Sequence, residues 1–408
     1  MIGWGKRGNP YNFNVVHKTN GWAMEYDTIT IDTSIFDQLG IKFEKGLLKK
    51  LEQFKSSPTK FILSEVIVNE INAHLIEKID EAKKHVNKAI KSSDGYLTVD
   101  EEALKKIEKY LIGNNEKTED LARVKIKSFL DKTGALVVPF KNVTLQEIVE
   151  NYFNHIPPFA TTGKKKNEFP DAIALLSMEK WATDGNAKKI LAVSTDPDWA
   201  DFGSNSSLID VVGDLGQALA IFQPQNDLYA FASTLSKHII ENTDNFLSTH
   251  LNSILPNEIS NLDLFPDASS GFQYEVDDVE SVFNDFDYLT LANGCADLKL
   301  IESGEEHISI EIGLSISCTV YCEFDFLVKD WVDKDYVKFG SNNIAKDFNF
   351  ETYAIVTLLG DFSKIEKIEN LDTDIDVDVV ELLDLPKNID FGEVEPDFGY
   401  EDPTHEKY

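Results

Sequence analysis

Short β-branched runs that end on aspartate and feed into helix-forming sequence constrain this chain more than any other feature. TITID (28–32) ends on Asp32 and runs into Thr33 and Ser34, and ILAVST (190–195) is a buried-type strand leading to Asp196. Both have the β-branched, turn-bounded character of strands. Between them the spacing predicts a helix over 44–55 stopped by SSP (56–58), then a strand FIL (61–63). Ser64 follows as the N-cap of a helix carrying Glu65 and Glu70. A third strand is ALVVPF (135–140), followed by a short helix TLQEIVENYF (144–153) and a loop HIPPFATTGKKKN (155–167). Asp171 opens a helix DAIALLSMEKWA (171–182), and SLIDVV (207–212) precedes a helix from about 214. Strands alternating with helices predict a parallel α/β sheet, whose ligands bind outside the carboxyl ends of the strands. Asp32 and Asp196 therefore belong to one edge.

Residues 77–133 are charged and helical. Ile76, Ile79, Val86 and Ile90, then Leu104, Ile107 and Leu111, then Val124, Ile126, Phe129 and Leu130 recur at helical spacing. With breaks at SSDG (92–95) and GNN (113–115), this predicts a two- or three-helix insertion between core elements.

After about 225 the character changes. A helix over 226–248 leads to DYLTLANGCADLKLIES (287–303), HISIEIGLSISCTVYCEFDFLV (307–328) and FNFETYAIVTLLG (348–360), which alternate with period two like antiparallel strands of an α+β or all-β domain. Charge divides the chain at the same place. Residues 1–225 hold 29 of the 39 Lys+Arg and 31 of the 71 Asp+Glu, and the rest hold 10 and 40, a net of −30. A nucleic-acid partner is compatible with the first part and disfavoured for the second unless metal ions intervene. The expected organisation is an arm (1–25), an α/β domain (26–223) and an acidic β-rich domain with an acidic tail (224–408). No run of about 18 apolar residues predicts a membrane helix, and the opening residues lack the apolar stretch of a signal peptide. Only three cysteines, Cys295, Cys318 and Cys322, fit a reducing cytoplasm.

Four segments concentrate carboxylates: IDTS with Asp32, SEVIVNEI with Glu65 and Glu70, NEFPDAIAL with Glu168 and Asp171, and STDPDW with Asp196 and Asp198. Oxygen ligands without neighbouring Cys or His suit Mg²⁺ or Mn²⁺ rather than zinc. Carboxylates crowded at one sheet edge either stay partly protonated or share divalent ions. Such ions can polarise a phosphodiester and activate water.

The order and spacing of these segments resemble a PIN domain, a metal-dependent nuclease fold with a three-layer α/β/α parallel sheet. The resemblance covers roughly 26–223 and is closest to a bacterial PIN-like subgroup with a helical insertion. It implies that Asp32, Glu70, Asp171 and Asp196 ligate one or two Mg²⁺ or Mn²⁺ ions and that an in-line water attacks phosphorus. The implied products carry a 5′-phosphate and a 3′-hydroxyl. Pro197 stands where the family carries a polar residue, which leaves Asp196 and Asp198 both open as the fourth ligand, Asp196 being preferred. The resemblance also implies an RNA substrate, tRNA among the candidates, and a toxin-like or phage-defence role fits. A non-catalytic PIN-fold module binding RNA or protein and a structure-specific DNA nuclease are the competing expectations.

Lys164, Lys165 and Lys166 could hold phosphates near Asp171, or form a solvated basic loop. Ser34 and Ser194 could orient a ligand or a metal-bound water, though turn and cap roles suit them better. Glu65 fits the positive end of a helix dipole, and His74 and His155 read as surface residues. Cys318 and Cys322, four apart in a strand, share a side with no second pair to complete a zinc site, and so read as core thiols. DTDIDVDVV (372–380) lacks the glycine and terminal glutamate of a calcium loop and reads as an acidic edge strand. The acidic domain itself could meet a basic partner protein, occlude the nuclease groove, or simply be solvated.

Overall fold

Thr28–Ile31 (β1) is buried at all four positions, which is why it reads as an unbroken β-branched run rather than an alternation. In the computed structural model, which describes residues 25–93, 106, 117–159, 168–223, 227–330, 335–368 and 370–397, this strand is the centre of a parallel sheet. The other strands are β2 (Lys60–Ser64), β3 (Leu136–Val138), β4 (Ile190–Val193) and β5 (Ile209–Val212), in the order β3-β2-β1-β4-β5. The chain builds outward from β1 through β2 to β3, then crosses back to start β4 on the other side of β1. The switch point lies between β1 and β4, the place where such sheets bind ligands.

The connecting helices are α1 (Thr33–Gln38), α2 (Gly46–Lys49), α3 (Glu65–Ser93), α4 (Thr118–Thr133), α5 (Leu145–Asn154), α6 (Glu168–Trp181), α7 (Pro197–Asn205) and α8 (Leu215–Ile221). Several differ from expectation. The helix expected over 44–55 is α2 followed by a 3₁₀ segment, Lys50–Ser56. Asp171 does not open its helix, since α6 begins at Glu168. The helix α7 was not foreseen at all. No boundary falls at 77, because α3 continues unbroken from Glu65 to Ser93. Nor is α4 peripheral: Phe129 stacks on Phe43 with ring centroids 4.5 Å apart and meets Phe36 and Phe61 edge-on. Its C-terminus stops at Gly134, whose φ of 69° supplies the left-handed cap. The expected arm over 1–24, Leu104, Ile107, Leu111, the break at 113–115 and most of the 155–167 loop lie outside the described residues.

Beyond residue 226, α9 (Asp227–Glu241) and α10 (Phe246–Ser260) replace the single helix expected over 226–248. The break occurs because Asn245, almost fully buried, turns its side chain to accept the Ser248 N–H and cap α10. The strands β6 (Phe265–Ser269), β7 (Gln273–Tyr288), β8 (Leu298–Ser303), β9 (His307–Lys329), β10 (Tyr336–Leu359), β11 (Asp376–Leu383) and β12 (Asn388–Glu393) complete the unit. An antiparallel sheet runs β11-β10-β9-β7, with β8 also paired to β9, and β6 and β12 form a small parallel pair. The acidic 372–380 run contributes most of β11, at the sheet edge.

Two hydrophobic cores result, one around the parallel sheet and one between α9, α10 and the antiparallel sheet. From Ile316 to Phe326 alternate residues of β9 are buried, as on a sheet covered on one face. From Ile308 to Leu314 every residue is buried, because there β8 and β9 also pack against α8. Polar groups cross this junction. Lys50 donates to Glu302 and Ser309 at 2.8 Å each, and Gln53 donates to the Ile301 carbonyl at 3.0 Å. Buried Gln223 donates to that same carbonyl at 3.0 Å and accepts from Ser303 at 3.1 Å.

Candidate active site

Each acid of the site is placed by the end of a regular element. Asp32 leaves β1 and caps α1, its backbone N–H bonding the Val193 carbonyl of the neighbouring strand at 2.9 Å. The side chain is 4% exposed. One carboxylate oxygen accepts the Thr33 N–H at 2.7 Å, and the other accepts the hydroxyls of Ser34 at 2.5 Å and Ser194 at 2.8 Å. Burial raises the Asp32 carboxyl above its ordinary range, and these donors offset only part of that.

Asp196 follows β4. Its backbone N–H donates to Ser194 Oγ at 3.0 Å, and its carboxylate accepts the Asp198 N–H at 2.8 Å, capping α7 with Pro197 as the first helical residue. Glu70, in the second turn of α3, accepts the Thr33 hydroxyl at 2.7 Å. Its carboxyl is also raised, first by burial, with the Asp32 charge adding and the Thr33 donor opposing.

Asp171 lies in the first turn of α6 and accepts the indole N–H of Trp199 at 2.9 Å. Its carboxyl is pushed up to about 7 from an ordinary 3.8. Burial is the main cause, the Trp199 donor works against it, and the charges of Asp32, Asp196 and Glu70 add to it. These four acids are therefore close enough to act on one another. Asp198 is the second residue of α7, where its backbone N–H serves Asp196. Among the described residues, no three acidic, histidine or cysteine side chains form a ready-made ligand cage for one ion.

Of the other candidates, Ser34 and Ser194 meet on one oxygen of Asp32. Glu65 is the first residue of α3. His74 pairs with Asp37 at 2.9 Å on the surface, and His155 caps the end of α5. Cys318 and Cys322 are buried in β9, where burial raises both thiols to about 11. Lys164, Lys165, Lys166 and the Glu168 side chain lie outside the described residues.

Two residues that orient the acids carry no role in the sequence reading. Thr33 was only the neighbour of Asp32, and Trp199 only the aromatic end of STDPDW. A fully buried indole needs an acceptor for its N–H, and Asp171 supplies it once α6 and α7 are packed together.

Residues 29–199 match the family model of the PIN domain. This part of the chain is a PIN domain. The match spans Asp32, Glu70, Asp171 and Asp196 and ends on Trp199. PIN domains are generally nucleases and typically use divalent metals. No curated protein matches the chain, and neither does any solved structure. Among the described residues, no helix is long and apolar enough to cross a membrane.

Proposed function

We propose that the protein is a divalent-metal-dependent nuclease that hydrolyses RNA at the cluster of Asp32, Glu70, Asp171 and Asp196. The observation that carries this is the state of Asp171, a half-buried carboxyl raised to about 7 beside three further acids. Acids held together against their own repulsion call for a cation.

The donor set fits Mg²⁺ or Mn²⁺. It is all oxygen, and Mg²⁺ takes one or two carboxylates while keeping several waters, so it needs no closed protein cage. Asp32, Glu70, Asp171 and Asp196 are the residues that would hold it. Asp196, whose charge acts on Asp171, is taken as the fourth acid. When bound, the ion supplies positive charge that polarises the phosphodiester and eases deprotonation of the attacking water. The chain's own contribution is orientation. Ser34, Ser194, Thr33 and Trp199 each fix a carboxylate oxygen, so the acids need not reorganise when substrate arrives.

RNA as substrate rests on the PIN resemblance. Labelled single-stranded RNA, tRNA and single-stranded DNA, each incubated with the protein and Mn²⁺, test it. Cutting of RNA with DNA spared is the expected result, and preferential cutting of DNA would replace RNA as the substrate class.

A further inference from the structure

The helix α5 carries apolar residues on two faces. Ile148 and Tyr152 turn toward the core, whereas Leu145, Val149 and Phe153, spaced by four, face solvent. Phe153 is 72% exposed, with no packing task that explains a large ring there. Two contacts fix the direction of α5. Lys180, near the C-terminal end of α6, pairs with Glu147 near the start of α5. At the other end, the Tyr152 ring lies 5.2 Å from that of Phe169, in the first turn of α6. The two helices are thus antiparallel, and the C-terminal end of α5 reaches the turn that carries Asp171. Phe153 meets Tyr152 edge-on at 5.3 Å, so its ring stands two ring contacts from that turn on a pre-ordered aromatic support.

We propose that Phe153 is a stacking platform for one unpaired nucleobase of the substrate strand, beside the phosphate that is cut. This rests on the nuclease reading and adds to it how the strand is held. The part of the chain that carries the site, with 29 Lys+Arg against 31 Asp+Glu up to residue 225, offers a polyanion no net attraction, and the rest of the chain, at −30, repels it. Contacts indifferent to charge must then supply much of the hold. Stacking on an exposed ring does so, and it accepts any base because every base has a π-face. The aliphatic half of the stripe, Leu145 and Val149, lies away from Asp171, and the aromatic end lies nearest it.

The test uses the full chain carrying Asp171→Asn, chosen to suppress cutting, and a fluorescein-labelled single-stranded RNA dodecamer read by anisotropy. Adding Phe153→Ala should weaken binding about tenfold, in line with the loss of one stacked base, while Phe153→Trp retains it. An abasic nucleotide at one position should cost the Phe153 protein a similar factor and the Phe153→Ala protein nothing further. Equal affinity of the two proteins for intact RNA, or an abasic loss that persists in full without the ring, would overturn the platform. So would unchanged RNA affinity with a lowered oligomeric mass in Phe153→Ala, which would assign the face to a second copy of the chain. If the unsubstituted protein cuts RNA while these comparisons fail, the platform falls and the nuclease stands. If it neither cuts nor binds RNA, both fall.

Discussion

Asp171 is the residue on which chemistry and stability meet. Its carboxyl is raised in the folded protein, so between about 4 and 7 the folded state binds a proton that the unfolded chain has lost. The stabilising contribution is therefore complete below the unfolded value of 3.8 and disappears as pH rises through about 7. Asp32 and Glu70, raised by the same burial, act in the same direction. Asp171→Asn keeps an acceptor for Trp199 and removes the charge. Without metal it should melt above the parent at pH 8, by roughly 2 kcal/mol because coupled acids share the shift, with the gap closing toward pH 4.5. Thermal melts in EDTA at the two pH values measure it, and a gap of equal size at both would mean that Asp171 does not titrate as described. Asp32 and Asp196 stand out in the sequence because each follows a strand and caps a helix, whereas Glu70 and Asp171 lie inside the first two turns of theirs. The roles of Thr33 and Trp199 were not legible, since their acceptors Glu70 and Asp171 are distant in sequence and meet them only in the fold.

At the scale of elements, legibility followed burial on two faces. β1 and β4 read as strands because every residue is apolar or β-branched and covered on both sides. Most of β7 did not, because QYEVDDVESVFNDFDY sets acids on its open face and shifts register at 276/278 and 283/285, which breaks the period-two signal. The missed helix α7 had a legible start, an aspartate cap followed by proline. Packing can also reverse the sign that local preference gives. Gly216 lies inside α8, where alanine ordinarily stabilises by up to about 1 kcal/mol. A methyl there would meet the Glu311 carboxylate at 2.0 Å. Glu311 is 2% exposed and held by Lys299 at 2.7 Å, so it has little room to yield. Gly216→Ala should therefore destabilise the protein by about 1–3 kcal/mol in urea melts. A rise in stability would show the contact to be loose.

The whole molecule is joined through buried polar groups rather than through a detachable surface. Lys50 is 13% exposed at its side chain and meets Glu302, Ser309 and Thr357 of the acidic unit. Removing a partner leaves the others buried and unsatisfied, so Lys50→Ala should cost about 2–4 kcal/mol. Denaturation followed by tryptophan fluorescence should show it. Unchanged stability would mean that water replaces the lysine. By the same reasoning, a chain ending at 225 exposes Gln53, Gln223 and the face of α8 and should be less stable than the full protein. The described contacts of the acidic unit fall on α2, the 3₁₀ segment and α8 and not on the four acids. The expectation that it masks the nuclease turns instead on the 164–166 loop, which lies outside the described residues. The division of charge was plain from composition. The junction was not, because Lys50, Gln53 and Gln223 look like ordinary surface residues until two cores close around them.

The most direct measurement is cleavage of single-stranded RNA by the purified full-length protein in Mn²⁺, Mg²⁺ and EDTA, beside Asp32→Asn and Asp171→Asn. Cutting is expected with either metal and not in EDTA, with a loss of at least about 100-fold in both variants, whose melts stay cooperative. Cutting that persists in EDTA, or survives in both variants, would contradict metal-dependent hydrolysis at these acids.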